Sequence, residues 1–184
     1  MSEEVVRFFA FIRAINVGGR RLTNDDLIAP FLTLGLDEVA AYQAAGNVTF
    51  VTDKPQIVSS GTLSDALSTE FGFAAPTFVR TETDLLAAVQ AHAFEEKAVA
   101  RTEGRIQIVF MHETPSKDAI TEAMDLIPEG DRVTFSGREW FWLPQKGVSD
   151  STLPVAKVEN IVGPMTMRTL GTVNRMLKRF GRST

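Results

Sequence analysis

The sequence contains no cysteine. That one absence excludes disulfides, thiolate catalysis, cysteine-based zinc sites and iron–sulfur clusters together, and it fits a cytoplasmic protein. Histidine is almost as scarce. His92, read at the end of a helix, and His112, read at the end of a strand beside Glu113, are the two in the chain. Neither has a second histidine three or four residues away, so metal-ligand spacing is missing and no metal is expected. Long apolar runs are missing too: nothing approaches the roughly 18–20 residues that cross a bilayer. The most hydrophobic stretch, Val5–Ile15, is broken by Arg7 and Arg13 and follows acidic Glu3 and Glu4, where an export signal carries positive charge. Neither membrane insertion nor export is expected. Finally, there is no basic excess. Lys and Arg number 19 against 23 Asp and Glu, for a net charge of −4, which opposes general nucleic-acid binding because phosphates must be neutralised. The local exception is the basic segment Arg175–Arg182, which also reads as a solvated helix end whose cations complement the dipole.

Several signatures are missing as well. Residues 16–21 (NVGGRR) form neither a P-loop nor a dinucleotide G-x-G-x-x-G, and no Gly-x-Ser-x-Gly elbow occurs. No cofactor is therefore expected, no catalytic residue can be named, and the 23 carboxylates offer too many candidates to select an acid–base pair. Phe8, Phe9 and Phe11 lack the RNP signature of an RNA-binding sheet and read as core.

What is present is an ordered alternation of elements. In a chain of 184 residues, 44% are hydrophobic and 23% charged, enough for a packed core. Val5–Ile15 reads as a strand that is apolar on both faces and therefore central. A helix follows, with Thr23 as N-cap, Asp26 three residues on, Leu27, Phe31 and Leu34 at helical spacing, Gly35 at its end and Pro30 predicting a kink or split. Strands at Val39–Gln43 and Val48–Thr52 flank a turn at Ala44–Asn47. A second helix opens at Pro55 and carries Ile57, Leu63, Leu67 and Phe71 up to Gly72. A strand at Phe73–Val79 and a helix opened by Thr81 and Asp84 complete the run.

After a connector at 93–104 the order repeats. A strand at Ile106–Met111 is followed by a helix over Pro115–Met124 and a hairpin of Val133–Ser136 with Glu139–Leu143, turning at Gly137–Arg138. A helix at Leu153–Ile161, a strand at Met165–Met167 and a last helix over Thr169–Phe180 close it. The expected architecture is α+β: two ferredoxin-like β-α-β-β-α-β halves, 1–92 and 105–184, arising by duplication and packed together. In the second hairpin, alternation puts Trp140 and Trp142 on one face and Phe141 on the other, either as packing or as an open stacking surface.

Three motifs carry a resemblance. Arg13–Gly19 (RAINVGG), Tyr42–Phe50 (YQAAGNVTF) and, near the C-terminus, Thr166, Arg168 and Thr172 resemble the R-G-I-N-V-G-G, Y-x-x-S-G-N-V-x-F and T-x-R-N-W-N-T motifs of the bacterial domain-of-unknown-function family 1697. Gly147, Ser151 and Leu153 match a further G-x-x-x-S-x-L. The chain departs at Ala14, where the family has glycine, at Ala45, where it has serine, and at Thr169-Leu170-Gly171 for Asn-Trp-Asn. The resemblance supports the organisation and supplies no activity.

The candidate ligand-binding residues are Arg13, Asn16, Gly18, Gly19, Arg20, Asn47, Arg168 and Thr172. A Gly-Gly turn after a strand lets backbone N–H groups converge on an anion, and guanidinium forks match phosphate or carboxylate. The competing reading is a plain glycine turn with solvated arginines. Asn47 also suits a turn, and Thr172 also suits a helix interior. The expectation is a binding protein for a small anionic ligand in a cleft between the halves, where Arg13 and Arg168 approach each other. The alternatives are an enzyme using that cleft or a protein-interaction module.

Overall fold

The computed structural model describes residues 5–91 and 94–181; His92 lies outside them. Contacts divide the chain into two units. One runs up to Leu86 and includes the segment from Met176 onward; the other is Ala87–Arg175.

The first unit holds β1 (Val6–Ile12), α1 (Asn24–Thr33), β2 (Asp37–Tyr42), β3 (Asn47–Thr52), α2 (Ser60–Phe71) and β4 (Thr77–Thr81). Its antiparallel sheet has the order β2-β3-β1-β4, with Phe8 opposite Phe50 and Phe9 opposite Arg80. β1 is central, as its two apolar faces demand. The face toward the helices gathers Phe8, Ala10, Ile12, Phe31, Phe50, Leu63 and Leu67. Phe8 stacks on Phe50 at 5.4 Å, and Phe31 tilts against the same ring at 5.5 Å.

Local chemistry sets the helix ends. Thr23 caps α1, with its hydroxyl accepting from the Asp26 N–H while the Asp26 carboxylate takes the Thr23 N–H. Gly35, at φ 73°, lets its own N–H reach the Leu32 carbonyl and the Leu36 N–H reach Phe31, a complete Schellman closure. Pro30 neither splits nor ends α1. The carbonyl its ring deprives of a partner is that of Asp26, an exposed residue in the first turn, where solvent can satisfy it.

The second helix does not open at Pro55. Pro55–Ile57 is a separate 3₁₀ turn, Ile57 is 57% exposed, and α2 starts after Ser59, whose side chain accepts the Thr62 N–H. The serine cap satisfies a backbone donor that proline cannot. The fourth strand is also later than Phe73–Val79. Phe73 belongs to a loop, stacked on Phe71 at 5.5 Å.

α3 (Glu82–Ala91) follows β4 directly and α4 (Glu96–Val99) lies in the expected connector. The second unit then repeats the order with β5 (Gln107–Met111), α5 (Lys117–Met124), β6 (Arg132–Ser136), β7 (Glu139–Leu143), α6 (Val155–Val162) and β8 (Met165–Thr169). Its sheet order, β6-β7-β5-β8, is that of the first, so the chain is two ferredoxin-like halves. α7 (Leu170–Phe180) begins in the second unit and ends in the first, where Phe180 meets the Tyr42 ring edge-on at 6.3 Å.

Trp140 and Trp142 are both buried, in a cluster with Val109, Met111 and Val158, and Trp140 stacks on Phe135 at 5.5 Å. The indoles pack; they are not an open stacking surface. Trp142 donates Nε1–H to Asp131 at 2.9 Å, and the same carboxylate takes the Gln145 N–H and the Ser151 hydroxyl. Ser151 in turn accepts the Leu153 N–H.

Candidate functional site

β1 stops at Ile12 rather than continuing to Ile15, because Ala14 turns left-handed at φ 61°. The Arg13 N–H has meanwhile bonded the Pro76 carbonyl at 2.8 Å. The chain then loops through residues 13–23 to the cap of α1. Gly18 and Gly19 sit at φ 65° and 83°, and nothing lies within 4 Å of where a Cβ would project from either. They are needed for backbone conformation, not to admit a close neighbour.

The loop is tied to the β2–β3 hairpin by two asparagines. Asn16 donates to the Ala44 carbonyl at 2.8 Å and accepts the Leu22 N–H at 3.1 Å. Asn24, the first residue of α1, accepts the Ala44 N–H at 2.8 Å. Between these ties lies an open pocket of about 780 Å³, lined by Asn16, residues 19–24 and Ala44. Arg20 borders it with its guanidinium fixed on two sides, by an Nε bond to the Val17 carbonyl at 3.2 Å and by the Phe73 ring at 3.7 Å. Arg21 also borders it, exposed and with no hydrogen bond or ion pair among the described residues.

The side-chain polarity of this pocket is one-sided. Its side-chain acceptors Asn16 Oδ1 and Asn24 Oδ1, with the Ala44 carbonyl, receive the bonds just described, and the Thr23 hydroxyl accepts the Asp26 N–H. The side-chain groups that remain without a partner among the described residues are donors, namely the Arg21 fork, the Arg20 terminal nitrogens and the Asn24 amide NH₂. The start of α1 contributes little charge of its own, since the Asp26 carboxylate already stands there. Bonds from the Thr23 backbone and then its hydroxyl hold the Asp26 pKa below the usual carboxylate value.

Of the residues singled out in the sequence, the structure thus gathers Asn16, Gly19 and Arg20, and adds Arg21, Thr23, Asn24 and Ala44. Arg13 and Gly18 shape the loop without lining the pocket. Asn47 is 1% exposed, at the start of β3, and its amide donates to the Tyr42 carbonyl of its own hairpin at 3.2 Å. Gly46 before it is held by fit: a Cβ there would meet the Ile12 carbonyl oxygen, and its φ is 72°.

Arg168 and Thr172 belong to the second unit. Arg168 lies within β8, not after it, and donates to Thr166 at 3.0 Å and to the Met167 carbonyl at 2.8 Å. Burial pushes its pKa down to about 10. Its topological counterpart is Arg80, not Arg13. Arg80 stands opposite Phe9 of β1 as Arg168 stands opposite Ile108 of β5. Each donates Nη1–H to the preceding carbonyl at 2.8 Å. Each is followed by a threonine that caps the next helix, Thr81 for Asp84 and Thr169 for Thr172. Thr172 therefore lies in the first turn of α7, its hydroxyl 2.8 Å from that of Thr169. Among the described residues, no three His, Asp or Glu side chains gather where they could hold a metal.

A family model for proteins of unknown function, DUF1697, matches residues 5–141, more than half of the chain. The chain belongs to the DUF1697 family. A solved structure, a conserved bacterial protein, SP0830, from Streptococcus pneumoniae, is similar over 95% of this chain and 98% of its own, with a TM-score of 0.63 and 21% identity. That likeness concerns the fold. Comparison with curated proteins finds no match.

The geometry explains two departures from the DUF1697 motifs. Position 14 has positive φ, which glycine adopts without strain and Ala14 does not. Position 169 is the N-cap of α7, a role that asparagine and Thr169 both fill well. The Ser151 and Leu153 pair, from the further G-x-x-x-S-x-L match, serves the Asp131 network.

Proposed function

We propose that this protein binds a small anionic molecule, a phosphate or carboxylate, in the pocket between the residue 16–24 loop and Ala44. The observation that carries the reading is the imbalance among the pocket's side chains: their acceptors are satisfied internally while two guanidiniums and an amide keep unpartnered donors among the described residues. An anion supplies acceptors and charge together, and an arginine fork suits planar or tetrahedral oxyanions. The size is that of a small-molecule site.

Binding, rather than turnover, suits the lining. It contains no carboxylate or imidazole, and the Thr23 hydroxyl is committed to Asp26. Calorimetric titration with inorganic phosphate, ribose 5-phosphate and simple carboxylates tests the reading. Heat of binding that Arg21→Ala removes, with melting temperature unchanged, is the expected result. A silent titration across that panel overturns it.

A further inference from the structure

Arg20 is prepared differently from Arg21. Its guanidinium carbon lies 3.7 Å from the centroid of Phe73, a stacking separation, and its Nε is held by the Val17 carbonyl. Phe73 is itself anchored, half-buried against the first unit's core and stacked on Phe71 at 15° between planes. A guanidinium held on one face and one edge no longer behaves as a mobile surface cation. It is a fixed flat plate. Arg20 is exposed and lines the pocket, so a ligand there can meet the guanidinium on the side that Phe73 does not cover. Arginine planes of this kind stack on conjugated rings as readily as they bond oxyanions. Simple charge attraction requires none of this construction, and Arg21 supplies charge without it. The pocket's volume of about 780 Å³ also exceeds what one phosphate group fills.

We infer that the ligand joins an anionic group to a flat conjugated ring, as a nucleoside monophosphate does, with the ring stacked on Arg20 and the anion on Arg21. This rests on the anion-binding reading above and narrows it. The ring, having a π-face in every case, is selected for flatness more than for its edge pattern.

The test compares AMP with ribose 5-phosphate, which share the phosphate and sugar and differ by the base. The full chain should bind AMP about tenfold more tightly, the scale of one base stack. Phe73→Leu, which removes the seat beneath Arg20, and Arg20→Lys, which keeps the charge and removes the plane, should each bring the ratio of the two affinities close to one. Circular dichroism of both variants establishes that they fold, and the exposed Arg20→Lys keeps the test open should Phe73→Leu fail to fold. Equal affinities of the parent protein for the two compounds overturn the inference and leave anion binding standing. So does a ratio that Arg20→Lys leaves intact. If neither compound binds, this inference falls, while the anion-binding reading is decided separately by inorganic phosphate and the simple carboxylates.

Discussion

In the first unit β1 and α1 are joined by residues 13–23, eleven of them; in the second, β5 and α5 are joined by residues 112–116, five of them. The sheets have the same strand order, so the difference is an elaboration at one position of a repeated frame. The short connection goes from the strand to the Ser116 cap with little room for anything else. The long one carries two left-handed glycines and three arginines, and it and the first residue of α1 lean on the neighbouring hairpin through Asn16 and Asn24. Loops on a rigid frame are where binding evolves at least cost to the core. The cores differ too. The first unit packs phenylalanines around Phe50, whereas the second packs two indoles and ties one of them to a carboxylate.

The contrast between the cores can be broken hardest at Phe31. Phe31→Ala should cost about 3–5 kcal/mol, because a fully buried ring is replaced by a cavity; chemical denaturation followed by circular dichroism measures it. A loss under about 1 kcal/mol would mean that the first core closes around the gap. Next comes Asp131→Ala, expected at about 2–3 kcal/mol, since Trp142 Nε1, the Gln145 N–H and the Ser151 hydroxyl lose one shared acceptor. Both tryptophans of the chain lie in this second core, so their emission reports its loosening directly.

A smaller effect sharpens the comparison of the loops. Ala14→Gly should stabilise the protein by about 1 kcal/mol, because it relieves a positive φ that the short connection has no counterpart for. The melting temperature should rise, and a fall would mean that the unfolded chain's added freedom outweighs the relief. Smallest is the acid response of α1. The folded pKa of Asp26 is depressed, so its contribution is present above the unfolded carboxylate value and is lost as pH falls through the lower folded one. Asp26→Asn should flatten that part of the stability profile, read by melting at stepped acidic pH.

Much of this architecture could be read in the sequence because its causes are local. Thr23 with Asp26, Gly35, Gly72 and the Gly137–Arg138 turn announce their elements through hydrogen bonds and φ angles set within a few residues. Where local signals competed, boundaries moved. Pro55 lost to Ser59, and the apolar run around Phe73 proved to be a packed loop. The candidate site was legible only as a stretch. Asn16, Gly19 and Arg20 stood out, but Asn24 and Ala44 gave no sign, since their importance is a mutual hydrogen bond across twenty residues.

Composition and spacing thus determined the element order, the central place of β1, the duplication and the loop that would bear arginines, because each follows from periodicity or from chemistry between near neighbours. Tertiary structure alone decided which of that loop's polar groups are consumed by the fold and which remain open. It also decided that Arg168 answers to Arg80 and that Arg20 lies on Phe73. Those facts depend on which distant segments are brought within about 3–4 Å, the range over which hydrogen bonds and ring contacts act.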